Sequence, residues 1–389
     1  MNNLAQFYTH DNFSKLLLSK ILAKNPKRVL EIGVGGGSLV RAAKKKWKHS
    51  DIIGGDIDSM NVSTLKEEFP SIKLFVINGL SSHLREDLKL ELGSVDVAIC
   101  NPPYMTIKKS DEYGKILEES LLGCLDSYSQ LTSDIIFLAQ NLLLLKEGGE
   151  LGIIVPDGLL TCQRFSIFRE KLLSNYKLTG VIELPSKIFK KTEAKTHILI
   201  IRKSVCSSLS LPIYLANENG TIASKILVKK SALIYRMDYK YHSWKKNSNQ
   251  KTSNSLLDLN VDIMRGSRSK KQLESLQINY LHTTDLKNEY CECEFPLHKT
   301  IDYLRYAEEG DLLMSRVGKR CIGKLMYVIK GNIPISDCIY RIRIPFEHRA
   351  KVISSLNSKI GKEWINAHSH GVCAKVISKR DLLNYQVTY

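Results

Sequence analysis

The segment Val29-Leu-Glu-Ile-Gly33-Val-Gly35-Gly-Gly37-Ser-Leu runs an apolar strand into a glycine turn and then into a helical pattern. Such a junction constrains the fold strongly, because a strand that leaves into a helix reaches its next partner by a crossover and so pairs in parallel. The alternation continues along the chain. Strands are expected at Arg28–Gly33, Ile52–Ile57, Ile72–Ile77, Val95–Cys100, Glu150–Val155, Leu178–Leu184 and Thr196–Arg202, with helices at Ser38–Lys46, Ser59–Phe69, Ser133–Leu145 and Gln163–Ser174. Between the last two strands, Pro185 to Lys195 has no helical periodicity, which predicts a hairpin. The expected fold is α/β: a doubly wound, mostly parallel seven-stranded sheet with an antiparallel edge.

A polar Ser-rich passage, Ser204–Leu211, predicts a boundary between a domain at 1–204 and a second at 205–389. The second half mixes short strands (Lys225–Val228, Asp311–Ser315, Gly323–Ile329, Cys338–Ile344) with a helix over Arg349–Asn366, an α+β pattern. Of the formal charge of +17, residues 1–200 carry +3 and residues 201–389 carry +14. That division points to a second half that meets a polyanion, most simply nucleic acid. No stretch reaches the ~20 apolar residues of a membrane span. The N-terminus, Met1-Asn-Asn-Leu-Ala-Gln-Phe, lacks the basic start and apolar core of a secretory signal, so a cytoplasmic protein with no membrane partner is expected. The nine cysteines are scattered and read as reduced thiols. Cys291-Glu-Cys293, with His282 and His298 nearby, is a poor zinc site, and no metal is expected.

In the glycine turn, Gly33, Gly35 and Gly37 let the backbone approach a ligand, and the helix start offers free amides. Asp56, ending the second strand in Gly54-Gly-Asp-Ile-Asp58, lies 21 positions beyond Gly35, where a carboxylate can accept from ribose hydroxyls. Ile57 follows it at the same edge. A nucleoside cofactor is implied. NAD, FAD and S-adenosylmethionine all use such turns, but Ser38 stands where the dinucleotide fingerprint wants a third glycine. Glu31 would repel a pyrophosphate and suits the ammonium of S-adenosylmethionine.

The fourth strand ends in Asn101-Pro102-Pro103-Tyr104 at the carboxyl edge, where open α/β sheets bind ligands. The prolines fix the backbone and remove donors, leaving the Asn101 side-chain oxygen and the Pro102 carbonyl to converge on one exocyclic amine. Tyr104 offers a flat face beside them. Methyl transfer to a weakly nucleophilic adenine amine then depends on in-line placement more than on a strong base.

With these motifs in this order, the first 200 residues resemble the gamma class of DNA adenine-N6 methyltransferases, with their Rossmann-like fold. The resemblance assigns Gln6-Phe-Tyr8-Thr9 to the methionine end of the cofactor, Gly33–Gly37 and Asp56 to its binding, and Asn101–Tyr104 to catalysis. Val181-Ile-Glu-Leu-Pro-Ser-Lys-Ile-Phe189-Lys190-Lys191 is similar to a later family motif, so Tyr104 and Phe189 would sandwich an adenine flipped from the duplex, with the two lysines at the DNA. Where the family often has an acidic residue facing the cofactor adenine, this chain has Asn78-Gly79.

In the second half, Arg265-Gly-Ser-Arg268-Ser-Lys270-Lys271 is a basic loop with small residues, suited to phosphates. Glu309-Gly-Asp311-Leu-Leu-Met-Ser315-Arg316-Val-Gly318-Lys319-Arg320 resembles a segment of type I restriction specificity domains, as does Tyr280–Leu286 before it. This implies a DNA target-recognition domain, double-stranded DNA as partner, and a restriction–modification system with a cognate restriction endonuclease. Two other activities share some of these residues. Pro156-Asp157 with Glu193-Ala-Lys195 matches a loose nuclease pattern, but both parts fall in the expected sheet. Asn-Pro-Pro-Tyr also serves methylation of RNA amino groups and of protein glutamine amide, usually without a large basic C-terminal module.

Overall fold

The computed structural model describes residues 10–186, 195–205, 208–247, 254–318, 320–371 and 374–388. The chain divides into two compact units, Met1–His242 and Ser243–Tyr389. The first is built on a nine-stranded sheet. Its strands are β1 (Arg28–Ile32), β2 (Asp51–Asp56), β3 (Lys73–Val76), β4 (Val95–Cys100), β5 (Leu145–Pro156), β6 (Lys177–Glu183), β7 (Thr196–Arg202), β8 (Ser210–Ala216) and β9 (Ile222–Lys229), in the order β9-β8-β6-β7-β5-β4-β1-β2-β3. All of them run one way except β7 and β9. Helices α1 (Asp11–Ser19), α2 (Ser38–Lys46) and α3 (Ser59–Glu68) supply one apolar layer, and α4 (Asp111–Glu119), α5 (Ser133–Leu144) and α6 (Ser166–Asn175) the other.

The parallel half follows the sequence closely, because its inner strands β1, β2 and β4 are mostly buried and read as near-continuous apolar runs. Three expectations change. The β6–β7 hairpin forms, but the antiparallel strand β7 lies inside the sheet, paired with β5 from Glu150 with Arg202 to Pro156 with Thr196. The sheet does not end at seven strands: β8 adds in parallel to β6, and β9 closes the edge. The Ser-rich passage at 204 is therefore a loop within the sheet. With the units divided at 242, the formal charge is +8 for the first and +9 for the smaller second, so the basic excess is denser in the second unit without being confined to it.

Arg169 of α6 secures this extension. It is fully buried, and its guanidinium donates to the carbonyls of Leu159, Cys162, Ile234 and Tyr235 at 2.8–3.0 Å, joining α6 to the helix Lys230–Tyr235 that follows β9. Burial pulls its pKa down to about 10, which leaves it charged at neutral pH.

The second unit contains a five-stranded sheet of β10 (Asp262–Arg265), β11 (Cys291–Glu294), β13 (Asp311–Ser315), β14 (Leu325–Lys330) and β16 (Ile339–Arg343), in the order β10-β16-β13-β14-β11. A separate pair is formed by β12 (Tyr306–Glu308) and β15 (Asn332–Pro334). The helix expected over 349–366 is two helices, Arg349–Asn357 and Lys359–His368. Ser358 breaks it with extended backbone, and its hydroxyl caps the second helix by accepting from the Gly361 amide. Among the described residues no helix is long and apolar enough to cross a membrane.

Replacing Arg169 with Met removes four hydrogen bonds from a buried charged donor, leaving the Cys162 and Tyr235 carbonyls only the Phe165 amide and the Gln163 side chain. The variant should lose about 3 kcal/mol of first-unit stability. Thermal denaturation should then show the first-unit transition lowered by roughly 6–12 °C.

Candidate active site

The carboxyl ends of β1, β2 and β4 meet at one edge, and each delivers one part of the site. At β1, the Gly33 and Val34 amides both donate to the Gly55 carbonyl, at 2.8 and 3.1 Å, and the turn then closes through Gly37 N–H to the Val34 carbonyl at 2.8 Å. Gly37 begins α2 with φ +79°, and a Cβ there would collide with the Leu65 side chain, so glycine is required twice over. Asp56 is 6% exposed, and its carboxylate accepts from the Gly35 amide at 2.7 Å and from the Asp58 amide at 2.9 Å. It thus sets the shape of the turn, and a carboxylate retains further lone pairs for a ligand. Ile57 beside it is 53% exposed. Asn78 is exposed, and its side-chain oxygen accepts from the Leu80 amide at 3.1 Å, which leaves its amide NH₂ facing out.

Glu31 is buried, and its Oε2 has no hydrogen-bond partner among the described residues. Burial, reinforced by the Asp56 charge, pushes its pKa well above the usual carboxylate range. A buried oxygen without a donor calls for one, and a cationic ligand would supply it.

At β4, the Tyr104 hydroxyl donates to Asn101 Oδ1 at 2.9 Å. This contact fixes which end of the Asn101 amide faces Tyr104. The corner is clamped from behind by a residue that sequence reasoning missed. Ser133, fully buried at the start of α5, donates through its hydroxyl to the Pro103 carbonyl and accepts from the Met105 amide at 3.0 Å. Its own amide donates to the Met105 carbonyl at 2.9 Å. Removing the Tyr104 hydroxyl from water raises its pKa well above that of an ordinary phenol, and the charges of Asp134 and Cys100 add to this. The available signal was a polar Ser-Asp pair opening an otherwise apolar helix soon after the tetrad.

The edge continues at β5 and β7 with a buried charge cluster. Lys195 Nζ lies 3.0 Å from both Asp157 Oδ1 and Glu183 Oε1, and His197 Nε2 lies 2.9 Å from Asp157 Oδ1. Burial alone would lower the Lys195 pKa, but the carboxylates of Asp157, Glu183 and Asp238 outweigh it and hold the ammonium charged. Of the nuclease-like pattern, then, Asp157 and Lys195 pair with each other across the sheet, and Glu193 lies outside the described residues. So do Tyr8, Thr9, Phe189, Lys190, Lys191 and Lys319.

In the second unit, Arg265, Lys270 and Arg320 are exposed. Arg268 lies over the Tyr303 ring at 5.5 Å, and its carbonyl accepts from the Asp337 amide at 2.8 Å. Arg316 donates to the Asp337 carbonyl at 2.9 Å and lies over Tyr340 at 5.4 Å. Two basic segments far apart in sequence therefore meet around Asp337, and Arg268 and Arg316 are braced by their own chain. Gly266 allows this, since a Cβ there would strike the Ile335 and Ser336 carbonyls.

A family model described as N-6 DNA Methylase matches residues 2–259. The chain belongs to that family. Members of that family use S-adenosylmethionine, and the donor set here fits that cofactor: an acidic, amide-lined turn with a Glu31 oxygen lacking a partner among the described residues suits a cationic nucleoside. The chain is 25% identical over 254 residues to the type II methyltransferase M.BsuBI of Bacillus subtilis, covering 59% of itself and 46% of that protein. It spans, then, less than half the length of that relative. Over 141 residues it is 31% identical to a chain of Methanocaldococcus jannaschii that carries the provisional name of protein N5-glutamine methyltransferase, covering 36% of itself and 68% of that chain. In fold it matches the type IIG restriction endonuclease BpuSI with a TM-score of 0.54 at 13% identity, over 100% of this chain and 59% of that one.

Ser133→Ala should loosen the tetrad corner without touching the glycine turn. Single-turnover methyl transfer should fall by about 100-fold, since misplacement of this order is that costly. Cofactor affinity, measured by calorimetry, should hold within about threefold.

Proposed function

We propose that this chain transfers the methyl group of S-adenosylmethionine to N6 of an adenine flipped out of duplex DNA, as a gamma-class enzyme of a restriction–modification system. The observation that carries this reading is the Asn101 amide oxygen, oriented by Tyr104 and clamped at the edge beside the glycine turn. The membership of the N-6 DNA methylase family supports the choice of DNA. The cofactor supplies a methyl group on a positively charged sulfur. Asn101 Oδ1 and the Pro102 carbonyl would accept hydrogen bonds from the two amine N–H groups and turn the nitrogen lone pair toward the methyl carbon; the new N–C bond would form as the S–C pair stays on sulfur, and N6 would then lose its extra proton to water. Tyr104 covers one face of the base, a stack worth ~1–3 kcal/mol, and Phe189 the other. Glu31 holds the cofactor's ammonium, and Asp56 its ribose, with Ile57 and Asn78 flanking the adenine.

The second unit, in this reading, is the target-recognition module. Exposed Arg265, Lys270 and Arg320 contact phosphates, while Arg268 and Arg316, braced around Asp337, form the rigid floor between them. A cognate restriction endonuclease would be the enzyme's counterpart.

Tritium from labelled S-adenosylmethionine should enter plasmid DNA and migrate with N6-methyladenine on nucleoside analysis. Label in protein or RNA alone would move the substrate to a glutamine amide or an RNA amine, the class that the Methanocaldococcus relative's name supports. Asn101→Ala should abolish turnover and keep cofactor binding. Removing Arg265 and Arg320 together should weaken DNA binding and reduce its salt slope by about 2.

A further inference from the structure

Asp134, the second residue of α5, is 1% exposed; the Thr132 hydroxyl and its own amide lie near enough to favour its charged form, but no well-formed hydrogen bond reaches either carboxylate oxygen among the described residues. A buried carboxylate so weakly paired is costly. Its position says what would pair with it. Ser133, immediately before it, is bonded to the tetrad loop at Pro103 and Met105. Phe137, three residues on and so on the same helix face, lies 3.5 Å from where a Gly33 Cβ would stand and 2.5 Å from a Gly79 Cβ. That face of α5 therefore looks along the carboxyl edge from the tetrad at the end of β4 to the glycine turn at the end of β1. Asp134 lies on α5 between the residues that make these two contacts, and its charge acts on Tyr104.

The neighbouring ionisable groups are all acids. Asp134 acts on the Tyr104 hydroxyl, which also feels Cys100; Cys100 in turn feels Glu31, and Glu31 feels Asp56. Among the described residues, no cation enters this row.

We infer that Asp134 is the counter-charge to the sulfonium of S-adenosylmethionine, acting as a fixed negative charge behind Tyr104, and that it makes the enzyme prefer its charged cofactor over the neutral thioether left after transfer. The inference rests on the cofactor reading above. Asp134 is a positioning residue: its oxygens are closed to solvent and act through space, where a unit charge several ångströms away in a protein interior can shift binding by tenfold or more. When the methyl leaves, the sulfur loses its charge and the attraction ends, which favours release of the spent cofactor.

Burial raises the Asp134 pKa to about 6. A carboxyl whose pKa is raised on folding contributes stability below its unfolded value, and that contribution is lost as pH rises through the folded one. At pH 7.5 the ligand-free protein therefore carries an ionised, weakly paired Asp134, and at pH 5 a mostly neutral one.

Calorimetric titration of the full chain with S-adenosylmethionine, with S-adenosylhomocysteine, and with sinefungin, whose amine carries a positive charge near the sulfur's place, tests this. At pH 7.5 the wild type should bind the two cations about tenfold more tightly than the neutral thioether. Asp134→Asn should lose that preference while keeping affinity for the thioether, and the wild type should lose it progressively below pH 6. Without ligand, Asp134→Asn should melt several degrees higher than wild type at pH 7.5, a gain that shrinks at pH 5. A preference unchanged in Asp134→Asn, or a melting point lowered by it, overturns the inference. Binding of none of the three compounds by wild type overturns the cofactor reading itself.

Discussion

The common direction of β1, β2, β3 and β4 governs the rest of the structure. Because these strands run in parallel, the chain leaves each of them at the same edge, and the glycine turn, Asp56, Asn78 and the tetrad collect there however far apart they are in sequence. Hydrogen bonds then lock what the strands bring together. Asp56 ties β2 to the turn, and Ser133 ties α5 to the tetrad loop.

What could be read from the sequence was what local pattern controls. Val95–Cys100 and Thr196–Arg202 appear at their expected bounds because buried strands are written as uninterrupted β-branched runs. The glycines at 33, 35 and 37 were legible because their backbone angles exclude other residues. Harder to read was anything decided by a distant partner. Strand β8 carries Pro212 and alternates only loosely, and its place beside β6 is a tertiary choice. Ser358 looked like one more polar residue on a helix surface, yet it ends that helix.

The site divides along the same line. Asn101, Tyr104, Glu31 and Asp56 announce themselves by residue type and position. Ser133 and Asp134 do not, because a serine and an aspartate before an apolar run read as the ordinary opening of a helix. Only the fold reveals that both are buried and that one is bonded to the tetrad loop while the other makes no well-formed hydrogen bond among the described residues. The motif around Arg316 gave no sign of its local contacts, a bond to the Asp337 carbonyl and a place over the Tyr340 ring.

The continuation of the first sheet through β8 and β9 bears on how such chains can be recombined. A cut at 204 would strip β6 of its neighbour and expose a long apolar strand edge, which invites pairing with other molecules. It would also leave Arg169 without the carbonyls of Ile234 and Tyr235. Grafting a different second unit onto this catalytic unit, by design or by genetic exchange, has a workable crossover only beyond His242, so residues 205–242 are inherited with the catalytic sheet.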